Sequence, residues 1–116
     1  MNVKLKRVNE QPEDSDGCRI LVDRLWPRGL SKEKAHIDLW LKEIAPSTPL
    51  RRWYDHDPAR WPEFKRRYVV KLEANRRNVR ELLRLVKKGP VTLVFGSRER
   101  SLNNAAVLKL FLEELG

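Results

Sequence analysis

Apolar and basic residues alternate along Val3-Lys4-Leu5-Lys6-Arg7-Val8, the two-residue period of a strand with one wetter face, and so predict an edge strand. A polar loop follows from Asn9 to Gly17. The next apolar run, Arg19 to Leu25, is continuous through Ile20-Leu21-Val22, as expected of a strand buried on both faces of a parallel sheet. Pro27 ends it, Gly29 frees the turn, and Ser31 stands where it can cap a helical turn running to Lys34. Ile37, Leu39, Trp40, Leu41, Ile44 and Ala45 recur at helical spacing as far as Pro46, which predicts a short amphipathic helix. Ser47 or Thr48, with Pro49 just inside, starts another helix whose apolar face is Leu50, Trp53 and Tyr54.

His56-Asp57-Pro58 then breaks the pattern, with Asp57 as N-cap and Pro58 at the first helical position. Trp61, Phe64, Tyr68, Leu72, Val79, Leu82, Leu83 and Val86 sit mostly three, four or seven apart and predict one long helix from Trp61 to Lys88, with Pro62 in its first turn. Gly89-Pro90 terminates it. Val91-Thr92-Leu93-Val94-Phe95 is a second continuous apolar strand, Gly96-Ser97 opens a loop, and Asn103 or Asn104 caps a last helix whose Ala105, Leu108, Phe111, Leu112 and Leu115 face the core. Long helical segments separate the two most hydrophobic strands, so the expected fold is α/β: a small single domain over residues 1–116, with a mostly parallel central sheet flanked by helices. On these phases Trp26 and Trp40 are expected to be largely buried, and Arg76, Arg80 and Lys87 exposed.

The totals narrow the class. A chain of 116 residues is long enough to build a core without staples. Its single cysteine, Cys18, excludes an intrachain disulfide framework, and a nucleophilic thiol would need a depressed pKa. Every apolar run is interrupted by Lys, Arg or Glu, so no membrane span is expected, and the basic, alternating start does not read as a secretory leader. A cytoplasmic location is the default expectation. The formal net charge of +9 points to an anionic partner, whether a nucleotide, a phosphometabolite, a nucleic acid or an acidic lipid, and charge alone does not choose among them. Much of the excess lies between Lys65 and Lys88, as a solvated helix face or as a face that tracks a phosphate backbone.

Two constellations carry candidate chemistry. The first joins the strand-end segment Asp23-Arg24-Leu25-Trp26-Pro27-Arg28-Gly29, with Lys32 beyond it, to the loop Gly96 to Asn104. Two buried parallel strands would deliver both loops to the carboxyl edge of the sheet, where α/β folds bind ligands. The start of the last helix favours an anion there, with Arg24, Arg28, Lys32, Ser97, Arg98, Asn103 and Asn104 as the donors and Asp23 as the candidate acid/base. Neither a P-loop nor a dinucleotide fingerprint is present. The second constellation is Trp53-Tyr54-Asp55-His56-Asp57-Pro58 with Trp61, in which Asp55 or Asp57 could orient His56 as a general base. A capped helix start explains the same string. His36 and His56 lie far apart and Cys18 is alone, so no metal site is expected and no cofactor is implied.

The strings Ile20-Leu21-Val22-Asp23-Arg24-Leu25-Trp26-Pro27-Arg28-Gly29, Trp53-Tyr54-Asp55-His56-Asp57-Pro58 with Trp61, Phe64, Arg67 and Tyr68, and Asn103-Asn104-Ala105-Ala106-Val107-Leu108 together resemble the bacterial and archaeal YeaO-like family of uncharacterised proteins. The resemblance covers nearly the whole chain and implies a compact α/β domain without assigning an activity. A more distant branch carries Cys-His-Arg where this chain has Asn103-Asn104-Ala105, a departure that removes the basis for thiol chemistry at this loop.

The residues thus support an anion-binding α/β domain, with or without turnover of a phosphorylated or nucleotide-like small molecule. Two alternatives stand beside it. One is a nucleic-acid-binding module that uses the long basic helix, with Trp53 or Tyr54 for stacking. The other is a protein-interaction domain whose aromatic patch receives a partner chain.

Overall fold

A computed structural model describes every residue from Met1 to Gly116. Four strands form one parallel sheet: β1 (Val3–Arg7), β2 (Cys18–Leu21), β3 (Leu39–Trp40) and β4 (Val91–Phe95), in the order β1-β4-β2-β3. The fold is α/β, as the hydrophobic pattern predicts. β1 lies at an edge, and the two continuous apolar strands, β2 and β4, occupy the centre, where both faces are covered. The helices are α1 (Lys32–Ala35), α2 (Thr48–Tyr54), α3 (Trp61–Ala74), α4 (Arg76–Lys88) and α5 (Asn104–Leu115), with 3-10 turns at Asp14–Asp16, Lys42–Ile44 and Pro58–Arg60.

The pleat separates two chemistries. Ile20 pairs with Leu93, and Val3 and Cys18 flank Val91. These positions turn Ile20, Val22, Val91, Leu93 and Phe95 toward Phe64, Tyr68, Leu72, Leu82 and Leu108, where they form one core. α5 packs on β1 and β4, and α3 packs on α5. One residue out of phase, Lys6, Arg19 and Thr92 point to the other face. There the Asp16 carboxylate meets Lys6 Nζ at 2.8 Å and Arg19 NH1 at 2.7 Å, and Thr92 Oγ1 donates to the Asp16 carbonyl at 2.8 Å. Gly17 makes that approach possible: its φ is +64°, and a Cβ there would fall 2.1 Å from the Pro90 carbonyl oxygen.

Three expectations about elements are corrected. The segment Ile37 to Ala45 is not an amphipathic helix. Leu39–Trp40 instead adds a short parallel strand beside β2, and a 3-10 turn follows. Apolar runs this short fit either period, and an open ladder on β2 decides between them: Asp38 N donates to the Arg19 carbonyl and Leu41 N to that of Leu21. The single helix expected from Trp61 to Lys88 is two, broken at Asn75, whose φ and ψ are −104° and 52°. Asn75 spends its side chain on the Glu43 carbonyl and on Asn78 Nδ2, the local competition that makes asparagine a helix breaker. β2 also stops at Leu21 rather than Leu25. The capping assignments hold: Ser31, Ser47, Asp57 and Asn103 each accept a backbone N–H at a helix start.

Trp26 and Trp40 are mostly covered, as their place on the apolar stripes predicts, without being fully enclosed. They meet edge to face at 5.5 Å, with their indole N–H groups bonded to the Leu30 and Asp23 carbonyls. Arg76, Arg80 and Lys87 are exposed, as their phase predicts. No helix is long and apolar enough to cross a membrane.

Candidate functional site

The parallel ladder carries the ends of β2 and β4 to one edge. Val22 N still donates to the Val94 carbonyl, so Asp23 leaves the sheet beside Gly96. Asp23 Oδ2 accepts from Gly96 N at 2.7 Å, and Oδ1 accepts from Asn104 Nδ2 at 3.2 Å. The same Asn104 amide donates to the Val22 carbonyl at 3.0 Å. One carboxylate thereby ties the end of β2, the loop after β4 and the first residue of α5. A Cβ on Gly96 would sit 3.2 Å from Asp23 Oδ2, so the absent side chain leaves room for this bond.

Beside this clamp lies a cleft of about 300 Å³. Asp23 and Arg24 border it from the bend that follows β2, Tyr54 and Arg51 from α2, Phe64 from α3, and Asn104 from α5. Burial pushes the Asp23 carboxyl above its ordinary range, against the opposing pull of Gly96 N–H, the Asn104 amide and the more distant charge of Arg51. Asp23 is the only acid on the lining. Aromatic surface comes from Trp26, Tyr54 and Phe64, the last two stacked at 4.4 Å between ring centres. Tyr54 Oη donates to the Leu102 carbonyl at 3.0 Å, which closes the wall between α2 and the α5 loop.

The predicted donors divide. Arg24, Ser97, Asn103 and Asn104 all border the cleft with Asp23. Arg98 borders the adjoining, shallower depression. Arg28 and Lys32 are exposed and lie outside both linings, because the turn at Gly29 carries them away from the sheet edge. Several of the bordering donors already have partners. The Arg24 guanidinium donates to the Ala45 and Pro46 carbonyls, both at 3.3 Å. Asn103 accepts from Ala106 N and donates to the Glu99 carbonyl, so its amide serves the helix cap and the loop. Ser97 Oγ accepts from Glu99 N.

His56 borders both the cleft and the depression. Asp55 and His56 are left-handed, at φ 48° and 54°, two consecutive non-glycine residues in a region that side chains disfavour. The aspartates do not hold the imidazole: Asp57 caps Ala59 N at 3.0 Å and approaches Arg60 Nε at 3.6 Å. Trp53 is no free platform either, because the Arg60 and Arg67 guanidinium groups lie 5.5 Å and 4.5 Å from its ring centre. Cys18 opens β2 at the opposite edge, and burial, helped by Asp38, pushes its thiol up and away from reactivity.

Arg51, Tyr54 and Phe64 were missed as cleft residues by sequence reasoning. Arg51 and Tyr54 are three apart on one helix, a spacing that puts them on the same face, but nothing local says that this face meets the edge of β2.

The family profile described as "Inactive DUF488-N3 subclade" matches residues 2–115, and the chain belongs to that family. It is 40% identical over 115 residues to "Uncharacterized protein YeaO" of Escherichia coli (strain K12), covering 99% of this chain and 100% of that protein. It is also 40% identical over 110 residues to "Uncharacterized protein Rv3073c" of Mycobacterium tuberculosis (strain ATCC 25618 / H37Rv), covering 95% of this chain and 92% of the relative. The YeaO-like resemblance is thus established among bacterial proteins. No solved structure matches.

Proposed function

We propose that the cleft at the carboxyl edge of the sheet binds a small phosphorylated, nucleoside-like molecule. The observation that carries this reading is the Asp23 carboxylate: it is held by neutral N–H groups rather than by an ion pair, and it borders a cleft that also offers aromatic surface and the exposed guanidinium of Arg51. Such a lining suits a ligand with hydroxyl donors for Asp23, a ring for Tyr54 and Trp26, and a phosphate for Arg51, with Arg98 next to it. The description of the subclade as inactive supports binding over turnover. If turnover is detected, it runs through Asp23, with His56 at the rim.

Isothermal titration against nucleosides, nucleoside monophosphates and sugar phosphates tests the reading. Compounds that combine ring, hydroxyl and phosphate should bind best. Arg51→Ala should weaken them by about tenfold or more, the scale of a lost charge-assisted hydrogen bond, while Arg28→Ala should leave them unchanged. An absence of heat across the panel, or affinity indifferent to Arg51→Ala, overturns it.

A further inference from the structure

We propose that the exposed face of α4 is a docking surface for the phosphate backbone of a duplex nucleic acid, separate from the cleft. Arg76, Arg77, Arg80, Arg84, Lys87 and Lys88 are all exposed. At 3.6 residues per turn they fall within an arc of about 120° and along about 18 Å of helix axis. Val79, Leu82 and Val86 occupy the opposite side and anchor the helix to the core. Glu81, the only acid of α4, lies just beyond the edge of that arc.

The contrast with α3 makes the stripe informative. On α3, Glu63 takes Arg66 at 2.7 Å and Arg67 at 2.7 Å, and Lys71 donates to the Ala45 carbonyl. Those cations have internal work. The α4 cations form no ion pair within the chain, so they repel one another along a single face until a polyanion supplies the counter-charge. Arg80, Arg84, Lys87 and Lys88 also border one shallow depression with Leu83.

The choice of a duplex rests on what the face lacks. It presents no aromatic ring to stack on unpaired bases. None of the large exposed apolar side chains, Met1, Leu25, Val70, Leu110 and Leu115, belongs to α4, so the helix has no apolar edge to bury in a bilayer. A rigid stripe about 18 Å long spans about five phosphates of one duplex strand.

Fluorescence anisotropy of labelled 20-base-pair DNA and RNA duplexes of arbitrary sequence tests the surface, with the intact protein between about 50 and 200 mM salt. Binding at low salt should fall steeply, with a slope of log affinity on log salt of about −4.5 for about five phosphates. The triple variant Arg80→Gln, Arg84→Gln, Lys87→Gln should lose tenfold or more in affinity and flatten that slope, with a melting temperature no lower than that of the wild type. An equal charge reduction elsewhere, Lys34→Gln, Arg52→Gln, Lys65→Gln, should change affinity less than threefold. Three results overturn the proposal: no duplex binding at low salt, equal losses in the two triple variants, or sedimentation with phosphatidylserine vesicles without any duplex binding.

Discussion

Two aspartates bracket β2 at equal distance, and the protein treats them in opposite ways. Asp16 lies two residues before Cys18, and Asp23 lies two residues after Leu21. Asp16 is buried and contacts Lys6 and Arg19 directly. Burial alone would raise its pKa, but the Lys6 ammonium, the Glu13 N–H and the Arg19 guanidinium outweigh it and hold the carboxyl at about 2. Asp23 has no such cations in contact. Burial wins there, and the carboxyl moves up. The same residue type is therefore a closed ionic joint at the amino end of the strand and an open acceptor at the carboxyl end. An acid whose charge is already matched by its own fold has little left to offer a ligand. Asp23 still has its charge to offer.

The largest expected effect breaks the closed joint. Asp16→Ala leaves Lys6 and Arg19 without their shared carboxylate inside the structure, and it should cost about 3 to 5 kcal/mol of unfolding free energy. Urea titration followed by far-UV circular dichroism measures it. A loss below about 1 kcal/mol would mean that the two ends of β2 differ less than their contacts indicate.

The pH dependence of stability separates the two acids by sign. The Asp16 pKa falls from an ordinary 3.8 to about 2 on folding. Its contribution is therefore complete above about pH 4 and is lost as pH drops toward 2, a change on the order of 2 kcal/mol. Asp23 behaves oppositely. Its pKa rises on folding, so its contribution is present below the ordinary carboxylate range and is lost as pH climbs through the raised value. Melts between pH 2 and 7 should show Asp16→Asn flattening the acid limb. The stability of Asp23→Asn relative to the wild type should improve as pH rises.

These contacts also explain what the chain made legible. Ile20-Leu21-Val22 and Val91 to Phe95 are long, unbroken and apolar, so the parallel core and the shared edge for Asp23 and Asn104 could be read directly. Asn75 could not. Leu72 and Val79 are seven apart whether or not the helix continues, so the period is blind to a break in which an asparagine bonds to Glu43. Leu39 and Trp40 form a strand because Arg19 and Leu21 offer free carbonyls, a partner that lies outside any local window. The Asp16 joint was hidden for the same reason, since its charges come from Lys6 and Arg19 through the register of β1 and β2 against β4. The cleft was half legible. Its strand-end residues announce themselves, whereas Arg51 and Tyr54 reach it through the packing of α2.

The smallest expected effect on stability sharpens the comparison most. Asp23→Asn removes a negative charge whose burial opposes folding, and it also weakens the acceptor facing Gly96 N and the Asn104 amide. The two changes have opposite signs. An asparagine oxygen can still accept from Gly96 N, and the Asn104 amide keeps the Val22 carbonyl as partner. The net change at neutral pH should therefore be within about 1 kcal/mol. The same substitution should weaken any ligand that donates a hydroxyl to Asp23, because a carboxylate accepts a hydrogen bond more strongly than an amide oxygen does. Paired urea titrations and calorimetry read both quantities on one protein preparation. Unchanged stability with at least fivefold weaker binding identifies Asp23 as the open acceptor of the cleft. A destabilisation as large as that of Asp16→Ala would make Asp23 a second structural joint, and the contrast between the two ends of β2 would fail.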